Sequence, residues 1–507
     1  MIVNEVERLP DYEVAIAGSG FAGLGMAIGL RRAGIEDFVM LERGEALGGT
    51  WRDNHYPGCA CDVPTPLYSY SFAPNPRWSH MYARSNEIRA YLEDCADRFG
   101  VRPHLRLGAD VTGARWDSER QRWVVNVGGA PAFTARMVVG GFGGLNRPAF
   151  PDIEGLDDFQ GAMFHSAQWN HDVPLAGRRV AVIGTGASAI QLIPELARTA
   201  GQVVVYQRTP PWVLPKADRR ISRLEQELYA RLPVTQRAVR GLIFAFTEAI
   251  GHGTTRRLGL LAALERVARA HLRASIKDPE LRRALTPSYR LGCKRILFSN
   301  DYYRSLPRPN VEVLTDGIAR VTASGVLTAD GVEREFDALI CSTGFRIEEV
   351  FSALDVRGNE GIALQDVWAD GISAHRGTTI AGFPNLALLS GPNTGTGSTS
   401  QVYMIEAQIH YVLEMLRLLR ARGAGTIEPR AQAQAEYNEW LQERMRQTVW
   451  LRGGCNSWYL DEHGVNRTLY PGPGSEFWRS LRSVREDEYI LEPVRRPARQ
   501  PDPVVVN

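Results

Sequence analysis

The stretch Glu13-Val-Ala-Ile-Ala17-Gly18-Ser-Gly20-Phe-Ala-Gly23, followed by Leu24 to Arg32, decides the fold. Glu13 to Ala17 predicts a short apolar strand that runs straight into a Gly-x-Gly-x-x-Gly turn. In that pattern the first glycine makes a tight turn and the second lets the backbone approach a pyrophosphate. The third lets a helix pack close to the strand. Leu24 to Arg32 predicts that helix, Gly34 closes it, and Phe38 to Leu41 predicts a second strand ending in Glu42. A glycine turn alone is a weak signal. Strand, turn, helix, second strand and terminal acid together describe a βαβ nucleotide site, with Glu42 placed to accept from ribose hydroxyls.

A second unit begins at Arg179-Val-Ala-Val-Ile183, enters Gly184-Thr-Gly186-Ala-Ser-Ala189, and continues through a helix (Ile190 to Ala197) into a strand (Val203 to Tyr206). Here the terminal acid is replaced by Gln207-Arg208-Thr209. A carboxylate repels a ribose 2′-phosphate, whereas an arginine and a hydroxyl bind it. The first site therefore suits FAD or NAD, and the second suits NADP.

The two strands Met137 to Gly144 and Ala338 to Cys341 end in Gly-Phe-Gly-Gly and Ser342-Thr-Gly-Phe345, small residues that let backbone approach a dinucleotide. Arg122 to Val127 predicts a small antiparallel excursion between the units. The fold expected is α/β, with two Rossmann-like domains, one inserted in the other, and a helical subdomain. The expected boundaries are residues 1–150 and 346–490 for the FAD domain and 151–217 with 288–345 for the NADP domain. Residues 218–287 form a helical subdomain attached to the NADP domain, broken at Pro233 and at Gly251-His-Gly253, and residues 491–507 a loosely draped tail.

Composition agrees with several ordinary globular domains: 507 residues, 44% hydrophobic, 23% charged, net charge +2. No basic stripe suggests a nucleic-acid partner. The polar, acid-bearing start (Met1 to Tyr12) does not read as a secretory signal, and the central apolar run from Gly241 to Phe246 is too short to span a bilayer. Six scattered cysteines (Cys59, Cys61, Cys95, Cys293, Cys341, Cys455) argue against a disulfide framework and for a cytoplasmic protein. Cys59-x-Cys61 lacks the two-residue spacing of a redox pair. None of the ten histidines has metal-ligand spacing, so no metal is expected.

Between the two glycine loops lies Phe159-Gln-Gly161-Ala-Met-Phe-His165-Ser-Ala-Gln-Trp169. It resembles the Phe, Gly, His and Trp signature of the type I (class B) flavoprotein Baeyer–Villiger monooxygenases. Gly48-Gly49-Thr-Trp51, Tyr56-Pro57-Gly58 and Asp62 resemble a second signature of that family. Gly292-Cys-Lys294-Arg295 with Asp301-Tyr302-Tyr303 resembles the segment bearing its active-site arginine. The likeness runs from about Tyr12 to Gly474; Asn170, where the family has proline or aspartate, and Ser342 depart from it.

The resemblance implies that NADPH reduces FAD, that reduced flavin and O2 give a C4a-peroxyflavin, and that this species converts a ketone into an ester or lactone. It implies FAD contacts from Gly18, Gly20, Gly23, Glu42, Gly49, Thr50, Trp51, Asp62, Tyr68, Val111 and Gln401. NADP contacts are implied at Gly184, Thr185, Gly186, Ala187, Ser188, Gln191, Arg208, Thr209, Lys294, Arg295 and Trp458. Arg295 is the implied catalytic cation and Asp62 its orienting partner, because charge developing on oxygen calls for a fixed cation. Cys59 and Cys61 read as small residues beside the nicotinamide, and His165 as a structural or coupling residue. The loop from Gly391 to Gln401 is expected over the flavin, and that around Cys455 to Tyr459 over nucleotide and substrate. The substrate pocket is expected among Thr65, Asp301 to Arg304, Gly395 to Thr399 and Trp458. A cyclic, aryl, steroid or natural-product ketone all fit the reading. The competing activities are N- or S-oxygenation on the same architecture, a disulfide reductase, and a non-catalytic binding module.

Overall fold

Two sheets, one mixed and one parallel, each with one of the glycine turns following one of its strands, carry the molecule. The structure, a computed structural model, describes residues 9–347, 349 and 354–495. The first sheet starts with β1 (Asp11–Ala17), α1 (Phe21–Arg32), β2 (Phe38–Leu41) and β3 (Leu105–Arg106). It continues with β4 (Val111–Asp117), β5 (Arg122–Val127) and β6 (Ala130–Gly140). β1 lies parallel between β2 and β6, with Val14 opposite both Phe38 and Met137. Its residues Val14 to Ala17 are buried, as a strand covered on both faces requires.

The chain then crosses to the second sheet. This holds β7 (Ala162–His165), β8 (Arg179–Ile183), α2 (Ala189–Thr199) and β9 (Gln202–Tyr206). Helices α3 (Pro233–Thr255) and α4 (Leu261–Ser275) follow, then β10 (Val311–Leu314) and β11 (Ala338–Cys341). The strand order is β10-β9-β8-β11-β7. The chain finally returns to the first sheet. β12 (Asp355–Arg357) pairs with β4, and β13 (Leu386–Leu388) pairs with β6. Helix α5 (Gln401–Arg422) covers α1, and β14 (Ala424–Pro429) pairs with β15 (Tyr489–Pro493). Leaving one sheet, in which β4, β5 and β6 run antiparallel, completing a parallel second one and returning is the inserted two-domain α/β architecture.

Helix α1 is buried along ten successive residues, Phe21 to Leu30, because it sits between its sheet and α5. Gly25 and Gly29 make that possible: an added Cβ would lie 2.8 Å and 3.0 Å from side-chain atoms of Ile409.

Three expectations change. Helix α3 runs unbroken through Gly251-His-Gly253. Those glycines serve close packing, since a Cβ would meet Ser398 Oγ at 2.9 Å from Gly251 and Leu261 Cδ2 at 3.2 Å from Gly253; tertiary contact outweighs the roughly 1 kcal/mol helix cost of a glycine. The break expected at Pro233 stands: one helix ends at Arg231, and Pro233 opens α3 at its first position, where its missing N–H costs nothing. The helical region also does not belong to the second unit alone. Arg240 donates to the carbonyls of Pro66 (2.7 Å) and Ser69 (3.0 Å), and Gln236 to Asn75 O (2.7 Å). Finally, Leu491 to Pro493, placed in the tail, end strand β15; residues 496–507 lie outside the described residues.

Candidate active site

A cavity of about 1300 Å³ lies between the two glycine turns and is lined by both. On its first side stand Gly18, Gly20, Glu42, Gly49, Thr50, Trp51, Asp62, Tyr68, Val111 and Gln401. Gly23 does not line it but makes it possible. A Cβ there would collide with the Gly18 carbonyl oxygen, so the third glycine sets how closely helix meets strand. Glu42 already accepts from Ser19 N (3.0 Å), Ser19 Oγ (2.7 Å), Gly44 N (2.8 Å) and Arg52 Nη1 (2.7 Å). Burial would raise its carboxyl; Arg52 and the N–H donors more than offset this and hold it low. Arg52 was not singled out from sequence, for nothing in Thr50-Trp-Arg-Asp53 marks it as that acid's partner.

On the second side stand Gly184, Thr185, Gly186, Ala187, Ser188, Gln191, Arg208, Thr209, Lys294, Arg295 and Trp458. Gly186 has nothing within 4 Å of where a Cβ would sit, so its face is open cradle. Burial lowers the Lys294 ammonium, and the neighbouring Arg208 lowers it further. Among the described residues no carboxylate pairs with either. Two adjacent cations beside open glycine backbone suit a phosphorylated nucleotide. Gln191 also joins the second unit to the loop that carries Asp62. Its Oε1 accepts from Tyr56 OH (2.9 Å) and Ala60 N (3.2 Å), and its Nε2 donates to Ala60 O (3.0 Å).

The two sides meet at Arg295. Its Nε and Nη2 donate to Asp62 Oδ2 (2.7 Å) and Oδ1 (2.9 Å), and Nη1 lies 3.4 Å from Thr396 O. Asp62 raises the guanidinium further above its ordinary value. Burial pushes the Asp62 carboxyl up, and Arg295 outweighs that and holds it below the carboxylate range. A two-residue ladder fixes the arginine, pairing Val213 with Leu297 and Leu214 with Phe298. Lys216, also missed from sequence, follows that ladder. Asn300 clasps its backbone N and O (2.9 and 2.7 Å), and its ammonium lies 4.7 Å from the Tyr82 ring centroid.

Comparison with known proteins decides the family. Residues 15–237 match the pyridine nucleotide-disulphide oxidoreductase family model. A Baeyer-Villiger monooxygenase of Streptomyces coelicolor is 49% identical over 96% of this chain and 95% of its own. One from Pseudomonas aeruginosa is 48% identical over 94% and 91%. The chain belongs to the Baeyer–Villiger monooxygenase family. The crystal structure of OTEMO in complex with FAD and NADP superposes with a TM-score of 0.86 at 28% identity, covering 96% of this chain and all of that one.

The second signature, with Gly49, Trp51, Tyr56 and Asp62, lines the cavity, whereas the Phe159, Gly161, His165 and Trp169 signature stands outside it. Phe159 packs in the core of the second sheet. A Cβ on Gly161 would lie 2.5 Å from its ring and 2.9 Å from Asp337 O. His165 is buried, ends β7, and accepts at Nδ1 from Ala167 N (3.1 Å); burial pushes its imidazole down to about 4. Trp169 packs edge-on to Phe164 at 5.1 Å. The segment is thus the edge strand that carries the chain onto the second sheet, beside β11.

Several expected pocket residues belong elsewhere. Tyr302 and Tyr303, within Asp301 to Arg304, are buried in the second-sheet core, where aromatic packing overrides their polar look. Thr65 is buried and donates to His80 O (3.1 Å). Gly395, Thr396, Thr399 and Trp458 do line the cavity, as do Cys59 and Cys61. Both of those thiols are pushed up by burial, Cys59 to about 11. The cysteine expectation needs one correction: Cys293 and Cys455 form a disulfide. At a separation of 162 residues, no spacing rule points to the pair.

No helix among the described residues is long and apolar enough to cross a membrane, and no group of three or more metal-ligating side chains occurs among them.

Proposed function

We propose that Arg295 and Asp62 form the reacting centre of an enzyme that uses NADPH and O2 to insert one oxygen atom beside a ketone carbonyl, giving an ester or lactone. The observation that carries this is the bidentate Asp62–Arg295 pair at the junction of the two cradles. FAD, when bound, supplies the hydride and oxygen chemistry; the chain supplies position, charge and exclusion of water.

Gly18, Gly20, Gly49, Thr50, Trp51, Tyr68, Val111 and Gln401 would hold FAD. The Gly184 to Ser188 turn would hold the NADP pyrophosphate, with Arg208 and Thr209 on its 2′-phosphate. Arg295 then presents a permanent cation where oxygen becomes negative, and the carboxylate of Asp62 fixes its fork so that no reorganisation is needed during reaction. Lys294 is aimed at nucleotide phosphate or ribose. Trp458, 51% exposed at the cavity rim, and buried Tyr459, its ring centroid 4.4 Å away, cover the opening. Residues 1–150 and 346–490 are assigned to the FAD domain, with 151–217 and 288–345 as the NADP domain. Dependence on NADPH favours a cytoplasmic setting.

The test follows NADPH and O2 consumption by the flavin-loaded protein with a panel of cyclic, aryl and steroid ketones and one thioether. Ester or lactone formed in step with NADPH use is expected. Oxidation of the thioether with no ester from any ketone would move the protein to heteroatom oxygenation.

A further inference from the structure

The Cys293–Cys455 bridge joins two segments that the proposed chemistry needs together. Cys293 is fully buried, one residue before Lys294 and two before Arg295. Cys455 is half-buried and opens the loop that carries Trp458 and Tyr459. Their Cα atoms are 6.1 Å apart, within the range that a bridge spans. Downstream, the loop is anchored by buried Tyr459 and by the pairing of Leu460 with Asn466. With the bridge closed, residues 456–458 span two fixed points. With it open, the upstream end is Gly453-Gly454, held by one backbone bond from Arg290 N to Gly453 O (2.9 Å), with Gly454 at φ +73°. Two consecutive glycines form a hinge of low rotational cost. The remaining cysteines, Cys59, Cys61, Cys95 and Cys341, are buried and unbridged, so the chain brings one thiol pair into reach of each other.

We propose that Cys293 and Cys455 are a reversible thiol–disulfide site, oxidised by hydrogen peroxide, that tethers the Trp458 loop over the nucleotide and Arg295. The inference rests on the functional reading above, because such an enzyme makes its own oxidant. When substrate is absent, NADPH, a proton and O2 become NADP⁺ and hydrogen peroxide. The Cys455 thiolate, the more accessible, attacks one peroxide oxygen. The O–O bond breaks, a sulfenic acid forms, and the leaving hydroxide takes a proton to become water. The Cys293 sulfur then attacks the oxidised sulfur, forming the S–S bond and releasing a second water. Two electrons pass from the sulfur pair to the peroxide. Small cellular thiols reverse the step by exchange, as is usual for intracellular disulfides that act as sensors. The closed tether holds Trp458 over bound nucleotide, so idle turnover tightens the site that leaks peroxide.

The flavin-loaded full chain is reduced with dithiothreitol, desalted, and half of it re-oxidised with one equivalent of hydrogen peroxide. Iodoacetamide labelling with peptide mass spectrometry then reads Cys293 and Cys455, while proteolysis at residues 453–458, the rate of NADP⁺ dissociation and the rate of peroxide release with NADPH and no ketone read the loop. The reduced form should label at both cysteines, cleave faster, and release NADP⁺ and peroxide at least threefold faster. Peroxide should restore the tethered values. Cys455→Ser should stay at the reduced values whatever the treatment, and Cys293→Ala should match it. Equal loop readouts in reduced and oxidised wild type, or two thiols still labelled after peroxide, would overturn the proposal. None of these readouts needs a ketone, so absence of ester formation would strike the functional reading separately.

Discussion

Replacing Arg295 by alanine removes the one group that touches both halves of the proposed chemistry. Its fork spends two donors on Asp62 and directs a third toward Thr396 O, so it is rigid before any ligand arrives. Loss of one preorganised charge-stabilising group costs on the order of 10²–10³ in rate, about 3–4 kcal/mol. The substitution also leaves Asp62 with its burial and without the partner that outweighs it. Removing one member of a fully buried pair costs about 3–5 kcal/mol. The side chains here keep 32% and 23% of their exposure, so a loss of about 1–3 kcal/mol in folding stability is the better figure. Arg295→Ala should therefore fold with a lowered Tm and bind flavin. Under anaerobic conditions NADPH should still bleach it within a fewfold of the wild-type rate, while ester formation falls at least a hundredfold. Asp62→Ala should lose ester formation less steeply, because the cation stays and only its aim is lost. Ester formation by Arg295→Ala within threefold of wild type would refute the role given to the cation. Bleaching that falls in parallel with ester would instead place Arg295 in the NADPH step.

Other outcomes follow from single contacts. Arg208→Ala should raise the NADPH KM about 10–100-fold and leave the NADH KM unchanged, since about 1.5–3 kcal/mol of charged hydrogen bonding goes to the 2′-phosphate alone; steady-state kinetics with both nucleotides reads it. Gly186→Ala, whose Cβ meets open space, should keep its Tm and lose about tenfold in NADPH affinity by titration. Gly23→Ala drives its Cβ into the Gly18 carbonyl and should yield unfolded or flavin-free protein on purification. His165 is held at about 4 against an ordinary 6.5, so its share of stability is full above pH 6.5 and is lost as pH falls through 4. At pH 5 that loss is about 2 kcal/mol, visible as a urea midpoint whose fall from pH 7.5 is smaller in His165→Phe.

The two βαβ units were legible because their information is local. Phe38 to Leu41, Arg179 to Ile183, Arg122 to Val127 and Ala338 to Cys341 are strands at the residues read. In each, a run of apolar residues must lie in a covered sheet wherever that sheet sits. The misreadings came from residues whose role depends on a distant neighbour. Gly251 and Gly253 look like helix breakers until Ser398 and Leu261 are seen against them. Asp301 to Arg304 looks like a polar rim until Tyr302 and Tyr303 are found inside. The quiet Arg52 proves to be the partner of Glu42.

By itself, the order of residues marked two glycine-turn cradles and the family to which the chain belongs, since such turns and their flanking strands act within a few tens of residues. Tertiary structure alone decided what those cradles face. Asp62 and Arg295 are 233 residues apart, and Cys293 and Cys455 162 apart. At such separations a contact is set by how two sheets and a returning chain pack, because no local periodicity reaches across the inserted domain.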